Sequence, residues 1–262
     1  MMHLIPFLNR EPMVAVIRLS GAIAAGGRGG LLNDAATAPL IERAFRRGKP
    51  KAVALVINSP GGSPVQSSLI AARIRRLAAE KELPVHAFVE DVAASGGYWL
   101  ACAADKIWAD ESSILGSIGV ISAGFGFHDF IARYGIERRV HTAGEDKSIL
   151  DPFRPERDTD VARLKDIQAT IHTSFIDHVK RSRGDRLSAD KDLFTGEFWP
   201  GTQSVELGLA DGIAHLRPKM QELFGDKVRF SIYGPRRGLL QRFTQSLIGT
   251  VEDRFAWARF GL

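Results

Sequence analysis

The sequence predicts an α/β protein: repeated β-α-β units, a mostly parallel sheet flanked by helices, and a C-terminal helical appendage. Three observations carry this. Short β-branched runs, "MVAVIRL" (13–19), "AVALVI" (52–57) and "VHAFV" (85–89), are bounded by turn formers and read as buried strands. Segments with apolar residues at helical spacing lie between them. Connections of that size join neighbouring strands in parallel, with right-handed crossovers. At 262 residues, with 45% hydrophobic and 25% charged side chains, the chain is expected to form one large domain over 1–235 and an amphipathic appendage over 236–262.

The elements follow in order. A first helix is expected over 35–48, with Leu40, Ala44 and Phe45 on one face and Gly48 at its end. The second should begin at Pro64, because Ser63 is an N-cap, proline suits the first helical position and Gln66 completes a capping box. Ile70, Ile74 and Leu77 form its apolar stripe, Arg73, Arg75 and Arg76 point elsewhere, and Pro84 ends the connection before the third strand. Residues 90–95 then turn the chain into a helix that starts with "SGGYWLACAA" (95–104). Further on, "KIWAD" (106–110), "GVISA" (119–123) and "ERRVHTA" (137–143) are strand-like, and "FHDFIARYG" (127–135) is a short helix closed by Gly135. Val161, Leu164, Ile167, Ile171, Phe175 and Val179 recur at steps of three and four, so 159–183 is a long amphipathic helix. The stretch 195–216 gives a turn, a short helix from Gly201 and a tight loop. No internal repeat is present.

Composition narrows the function. The single cysteine, Cys102, forms no intrachain disulfide and reads as a small buried hydrophobe, so no multi-cysteine metal site is expected. Neither a metal nor a cofactor is called for. The net charge of +5 could suggest nucleic acid, but "ERAFRRGKPK" (42–51) lacks interleaved aromatics and reads as a solvated helix end, so no nucleic-acid partner is expected. Arg10, Glu11 and Arg18 interrupt the N-terminal apolar stretch, which argues against a transmembrane helix or a cleaved signal peptide and for a cytoplasmic protein. In 236–262, Leu240, Phe243, Leu247 and Val251 form a stripe flanked by Arg236, Arg237, Arg242 and Arg254. That stripe should pack on this chain or a neighbouring subunit, with peripheral contact at the inner membrane as the other reading.

Functional groups gather at the carboxyl ends of parallel strands. Two glycine-bearing turns, "NSPGGS" (58–63) and "ASGG" (94–97), follow strands directly and should meet on that rim. A serine hydroxyl is a weak nucleophile that needs a base for its proton and donors for the oxyanion. Ser95 starts a helix, so it reads as both a cap and a nucleophile; the Gly96 amide is free and sits at the positive helix end. The amides of Gly61 and Gly62 offer a second donor. For the base, His86, His128, His141, His172 and Lys147 are all candidates. Lys147 follows a strand, in the loop "HTAGEDKSILDPF" (141–153).

Taken together, "INSPGGS", "VAASGGYWLACAAD", "GSIGVIS", "GEDKSILDPF" and "TGEFWPGTQSVELGLADGI" make the chain resemble the signal peptide peptidase A family over roughly 13–215. That resemblance implies a Clp protease/crotonase-like fold and serine endopeptidase activity on small or membrane-derived peptides. It further implies a Ser-Lys dyad of Ser95 and Lys147, with Ser117 orienting the lysine and Gly62 and Gly96 forming the oxyanion hole. It also implies a ring- or dome-shaped homo-oligomer, in which neighbouring subunits complete each dyad and a monomer is inactive. Many members carry an N-terminal membrane anchor, and no such anchor is read in this sequence.

A lysine acts as a base only when neutral, and its free pKa of ~10.4 must fall to ~7–8, with burial as the cause at hand. The side chains of Glu145 and Asp146 should therefore point away from the amine. Two other classes remain. In a crotonase-like acyl-CoA enzyme the same amides would hold a thioester enolate, but no acidic residue has an evident place; a non-catalytic oligomeric scaffold needs no site at all.

Overall fold

The computed structural model describes residues 11–26, 32–144, 146–234 and 257–260. At the three β-branched runs lie β1 (Met13–Ser20), β2 (Ala52–Ser59) and β3 (Val85–Ala94), paired in parallel. Because side chains alternate across a strand, Val14, Val16, Ala54, Val56 and Phe88 share one face of the sheet, and they pack there with Met220 and Val228. Their neighbours Ala15, Ile17, Leu55 and Ile57 are equally buried. Covering on both faces explains why the strands read as continuous apolar runs.

Between the strands lie α1 (Asp34–Arg46) and α2 (Pro64–Lys81). Asn33 caps α1, accepting the Ala36 N–H at 2.9 Å. Ser63 caps α2, accepting the Gln66 N–H at 3.4 Å, and Pro64 is its first residue. Only half of the capping box forms. Gln66 Oε1 instead accepts the Asp34 N–H at 2.9 Å, so one side chain at the start of α2 supplies the start of α1.

After β3 come α3 (Gly96–Ala101), β4 (Lys106–Ala109) and β5 (Ile114–Gly116). The chain then leaves the sheet for α4 (His128–Arg133) and α5 (Asp158–Arg183). It returns through β6 (Phe198–Pro200), α6 (Gly201–Glu206), β7 (Gly212–Ile213), α7 (Leu216–Phe224) and β8 (Arg229–Tyr233). The strand order is β6-β5-β3-β2-β1-β8, with β4 beside β3 and β7 beside β4, and the β5–β6 pair is antiparallel. This is the mostly parallel α/β sheet that the sequence predicts.

Two compact units result: Met1–Ile118 with Ile176–Leu262, which holds the sheet, and Gly119–Phe175. In the second unit the strands expected at 119–123 and 137–143 do not form. Strands need a ladder partner, and this unit contains none among its described residues. Its apolar side chains stay exposed instead, Phe125 at 82% and Ile121 at 70%. The stripe of α5 is likewise only partly covered: Phe175 and Val179 are buried, while Ile167 is exposed.

Most of the appendage expected over 236–262 lies outside the described residues. Within it, Trp257 and Phe260 pack against Val92, Ala94 and Ile114, and Phe260 meets Phe198 edge to face. Among the described residues no helix is long and apolar enough to cross a membrane.

Candidate active site

The sequence places a turn over 90–95, but β3 runs on to Ala94. Val89 pairs with Ile57 and the next pair is Ala93 with Ser59, so β3 carries an irregularity over the intervening residues. Asn58 bridges it: its amide donates to Asp91 at 2.5 Å and its carbonyl oxygen accepts the Val92 N–H at 3.3 Å. Beyond this point Val92, Ala93 and Ala94 pair with β5. The turn into α3 is thereby reduced to one residue, Ser95.

Ser95 has φ 51 and ψ −121, a conformation that L-residues seldom adopt and that costs about 1–3 kcal/mol. Neighbours hold it there. Its N–H donates to the Gly116 carbonyl at 2.8 Å and its carbonyl accepts the Trp99 N–H at 3.0 Å. Although Ser95 occupies the N-cap position, its side chain makes no capping hydrogen bond. Ser95 therefore starts the helix, as the sequence predicts, through its backbone and without a side-chain bond. Strand-to-helix reversal thus falls on one strained serine whose hydroxyl is not used in capping the helix.

The two glycine turns meet, as the topology predicts. A Cβ on Gly61 would lie 2.7 Å from Ser95 Cβ and 2.9 Å from Gly96 N, and one on Gly96 would lie 3.3 Å from Gly62 N. Gly62 has φ 137, and a Cβ there would sit 2.0 Å from the Ile23 carbonyl oxygen. Ile23 fixes this turn from outside the motif: its N–H donates to Gly61 O at 2.8 Å and its carbonyl accepts the Ser63 N–H at 2.7 Å. Among the described residues neither the Gly62 N–H nor the Gly96 N–H donates a backbone hydrogen bond. The sequence reading missed Ile23, since nothing local marks a contact across so long a separation.

Ser117 is buried at φ 52, directly after Gly116, whose carbonyl takes the Ser95 N–H. Its own N–H donates to Glu197 O at 2.6 Å. Gly116 is itself required, because a Cβ there would meet the Trp199 ring at 2.9 Å. β5, absent from the sequence reading, is therefore what brings Ser117 beside Ser95.

Lys147 belongs to the second unit, where it is exposed in a turn. Asp146 approaches Arg157 at 3.9 Å, and Glu145 lies outside the described residues. Among the histidines, His86 is buried on β3 and its Nδ1 accepts the Trp108 indole N–H at 3.3 Å. His128 lies 3.2 Å from Asp129 and His141 is exposed; His172 is on α5. Burial pushes the Cys102 thiol up to about 12, so it is no nucleophile near neutral pH. Among the described residues no three His, Cys, Asp or Glu side chains gather as a metal site. A cavity of about 620 Å³ opens on the α7 side of the sheet, lined by Arg18, Phe88, Glu90 and Arg217 among others; Ser95 does not line it.

Comparison with known proteins adds to this geometry. A family model described as Peptidase family S49 matches residues 78–225. A protein of Brucella abortus (strain 2308) named Na(+)/H(+) antiporter NhaA is 46% identical over 99% of this chain and 39% of its own length. The chain thus spans about two fifths of that relative, and the shared stretch includes the residues that the peptidase model matches. The protein named "Probable protease SohB" of Buchnera aphidicola subsp. Acyrthosiphon pisum is 31% identical over 94% of this chain and 71% of its own. Among solved structures, the 1510-N membrane-bound stomatin-specific protease, as a lysine-to-alanine mutant in complex with a substrate peptide, superposes with a TM-score of 0.54. That match has 13% identity and covers 91% of this chain and 98% of the other. The same protease as a serine-to-alanine mutant gives a TM-score of 0.51.

Proposed function

The chain belongs to peptidase family S49, the signal peptide peptidase A family that its sequence resembles, and on that premise we propose that it is a serine endopeptidase with a Ser95–Lys147 dyad. The observation that carries this reading is the strained Ser95 at a strand-to-helix turn, beside the Gly62 and Gly96 amides, which donate no backbone hydrogen bond among the described residues. Ser95 Oγ attacks the peptide carbonyl while Lys147 Nζ takes its proton, and Ser117 orients the amine. The Gly62 and Gly96 N–H groups donate to the oxyanion. Collapse expels the amine, which receives the proton from the lysine. Water then hydrolyses the acyl-enzyme by the same proton path.

Peptides, small or membrane-derived, are the substrates under this reading. The 1510-N protease, captured as serine and lysine mutants and with a substrate peptide, supports the choice of residue types. The exposed Ile121, Phe125, Phe130, Tyr134 and Ile136 of the Lys147-bearing unit support a homo-oligomer, because so much apolar surface on one small unit marks an interface. Neighbouring subunits would then complete each dyad and withdraw Lys147 from water.

The test is peptide hydrolysis by Ser95→Ala and Lys147→Ala, each alone and after mixing. Each alone loses at least roughly 1,000-fold in kcat. The mixture regains about a quarter of wild-type activity if subunits of a closed ring exchange at random. An active Lys147→Ala sinks the dyad, and a silent mixture sinks its completion between subunits.

A further inference from the structure

Resting on the reading of Ser95 as nucleophile, we propose that His178 is a positioning residue of the active site, holding α3 so that the Gly96 N–H points at the oxyanion. At six residues α3 is too short to be stable alone, and its final carbonyls need partners. The chain closes the helix with Cys102 N–H to Tyr98 O at 2.9 Å and Ala103 N–H to Leu100 O at 3.0 Å. To the carbonyl between them, Trp99 O, His178 Nε2 donates at 3.0 Å from α5. The same imidazole stacks on the Trp99 indole, with centroids 4.7 Å apart and planes 14° from parallel. One ring therefore fixes both the backbone and the side chain of one α3 residue.

Other contacts hold α3 as well, and the His178 contact adds a hold at Trp99. A Cβ on Gly96 would meet Ser67 Oγ at 2.4 Å and one on Gly97 would meet Ser59 O at 2.4 Å, so the start of α3 is pressed onto α2 and β2. Tyr98 Oη donates to Leu209 O at 2.8 Å. The amide at the start and the carbonyl held by His178 belong to one hydrogen-bonded segment. A shift at one end is felt at the other, where oxyanion donors must be placed to within a fraction of an ångström. Burial keeps His178 below the usual histidine value, against the pull of the Trp99 carbonyl and with Arg181 adding to the effect, which suits a neutral ring with its proton on Nε2.

The experiment compares His178→Phe, which keeps a stacking ring and removes the donor, with His178→Gln, whose amide nitrogen reaches as far as Nε2. Fluorophosphonate labelling rate, kcat and KM for one peptide, and Tm are measured, with rates normalised to titrated active sites. The proposal expects His178→Phe to lower kcat and labelling rate at least tenfold with KM within twofold, and His178→Gln to stay within threefold of wild type. Wild-type labelling by His178→Phe, or equal losses in both variants, overturns it. Should His178→Phe not fold, His178→Asn replaces it, since its amide stops short of the Nε2 position. A tenfold gap between Asn and Gln then supports the proposal and equal rates overturn it. Ser95→Ala in the same assay separates the two readings: labelling that survives there removes the nucleophile, whatever His178 does.

Discussion

Gly62 combines a backbone angle of φ 137 with a Cβ position only 2.0 Å from the Ile23 carbonyl oxygen. An alanine there must move either the turn or Ile23, and both moves carry the proposed oxyanion donor away. Gly62→Ala is expected to lower kcat by roughly 100-fold, near the loss of one oxyanion donor, and stability by about 1–3 kcal/mol. Steady-state kinetics and a thermal melt check this; an alanine variant with wild-type kcat removes Gly62 from the site. The glycine itself was legible, because "SPGGS" after a strand asks for backbone where a side chain would intrude. Its enforcing partner was not. Ile23 sits in an unremarkable stretch, and only the folded sheet brings its carbonyl to the turn. The strain at Ser95 was hidden for a related reason, since "ASGG" is also good helix-start chemistry and only the continuation of β3 to Ala94 rules out a longer turn.

At the scale of elements, the end of α5 is fastened to the sheet by an ion pair that water barely reaches. Arg183 Nη1 lies 2.7 Å from Asp211 Oδ2, with the two side chains 1% and 5% exposed, and Lys106 and Arg186 reach the other oxygen. Burial alone would raise the Asp211 carboxyl, but hydrogen bonds from Arg183 and the Ile107 amide more than offset it and lower it to about 2. The unfolded chain therefore takes this proton first as pH falls. The stabilisation is complete above the ordinary carboxylate value and is lost between about pH 4 and pH 2; a shift of roughly two units is about 2–3 kcal/mol. His86 and His178 are held low chiefly by burial, so they too are protonated first in the unfolded chain. Their share of stability is present above about pH 6.5 and falls below it. Tm should thus drop in two stages, below about 6.5 and again below about 4; a flat Tm from pH 8 to pH 5 contradicts the histidine stage. Helices with caps were legible, α2 from Ser63 onward above all. The runs at 119–123 and 137–143 misled because β-propensity needs a sheet to join, and their unit has none among its described residues.

For the whole molecule, the sheet-bearing unit gathers Ser95, Gly62, Gly96 and Ser117, while Lys147 belongs to the unit whose apolar side chains stay exposed. The parallel order of strands, and with it the meeting of the two glycine turns, followed from connection lengths and handedness. The lysine's surroundings did not, because under the proposed reading they belong to an assembly that one chain's pattern of residues cannot display. Peptidase activity as proposed requires Ser95 to be an activated nucleophile. The measurement that tests it most directly is fluorophosphonate labelling of the intact protein above neutral pH, followed by mass mapping of the adduct. The predicted result is a single adduct on Ser95, formed at least roughly 100-fold more slowly in Lys147→Ala, the usual worth of a general base. An adduct on another residue, or undiminished labelling in Ser95→Ala, would contradict it.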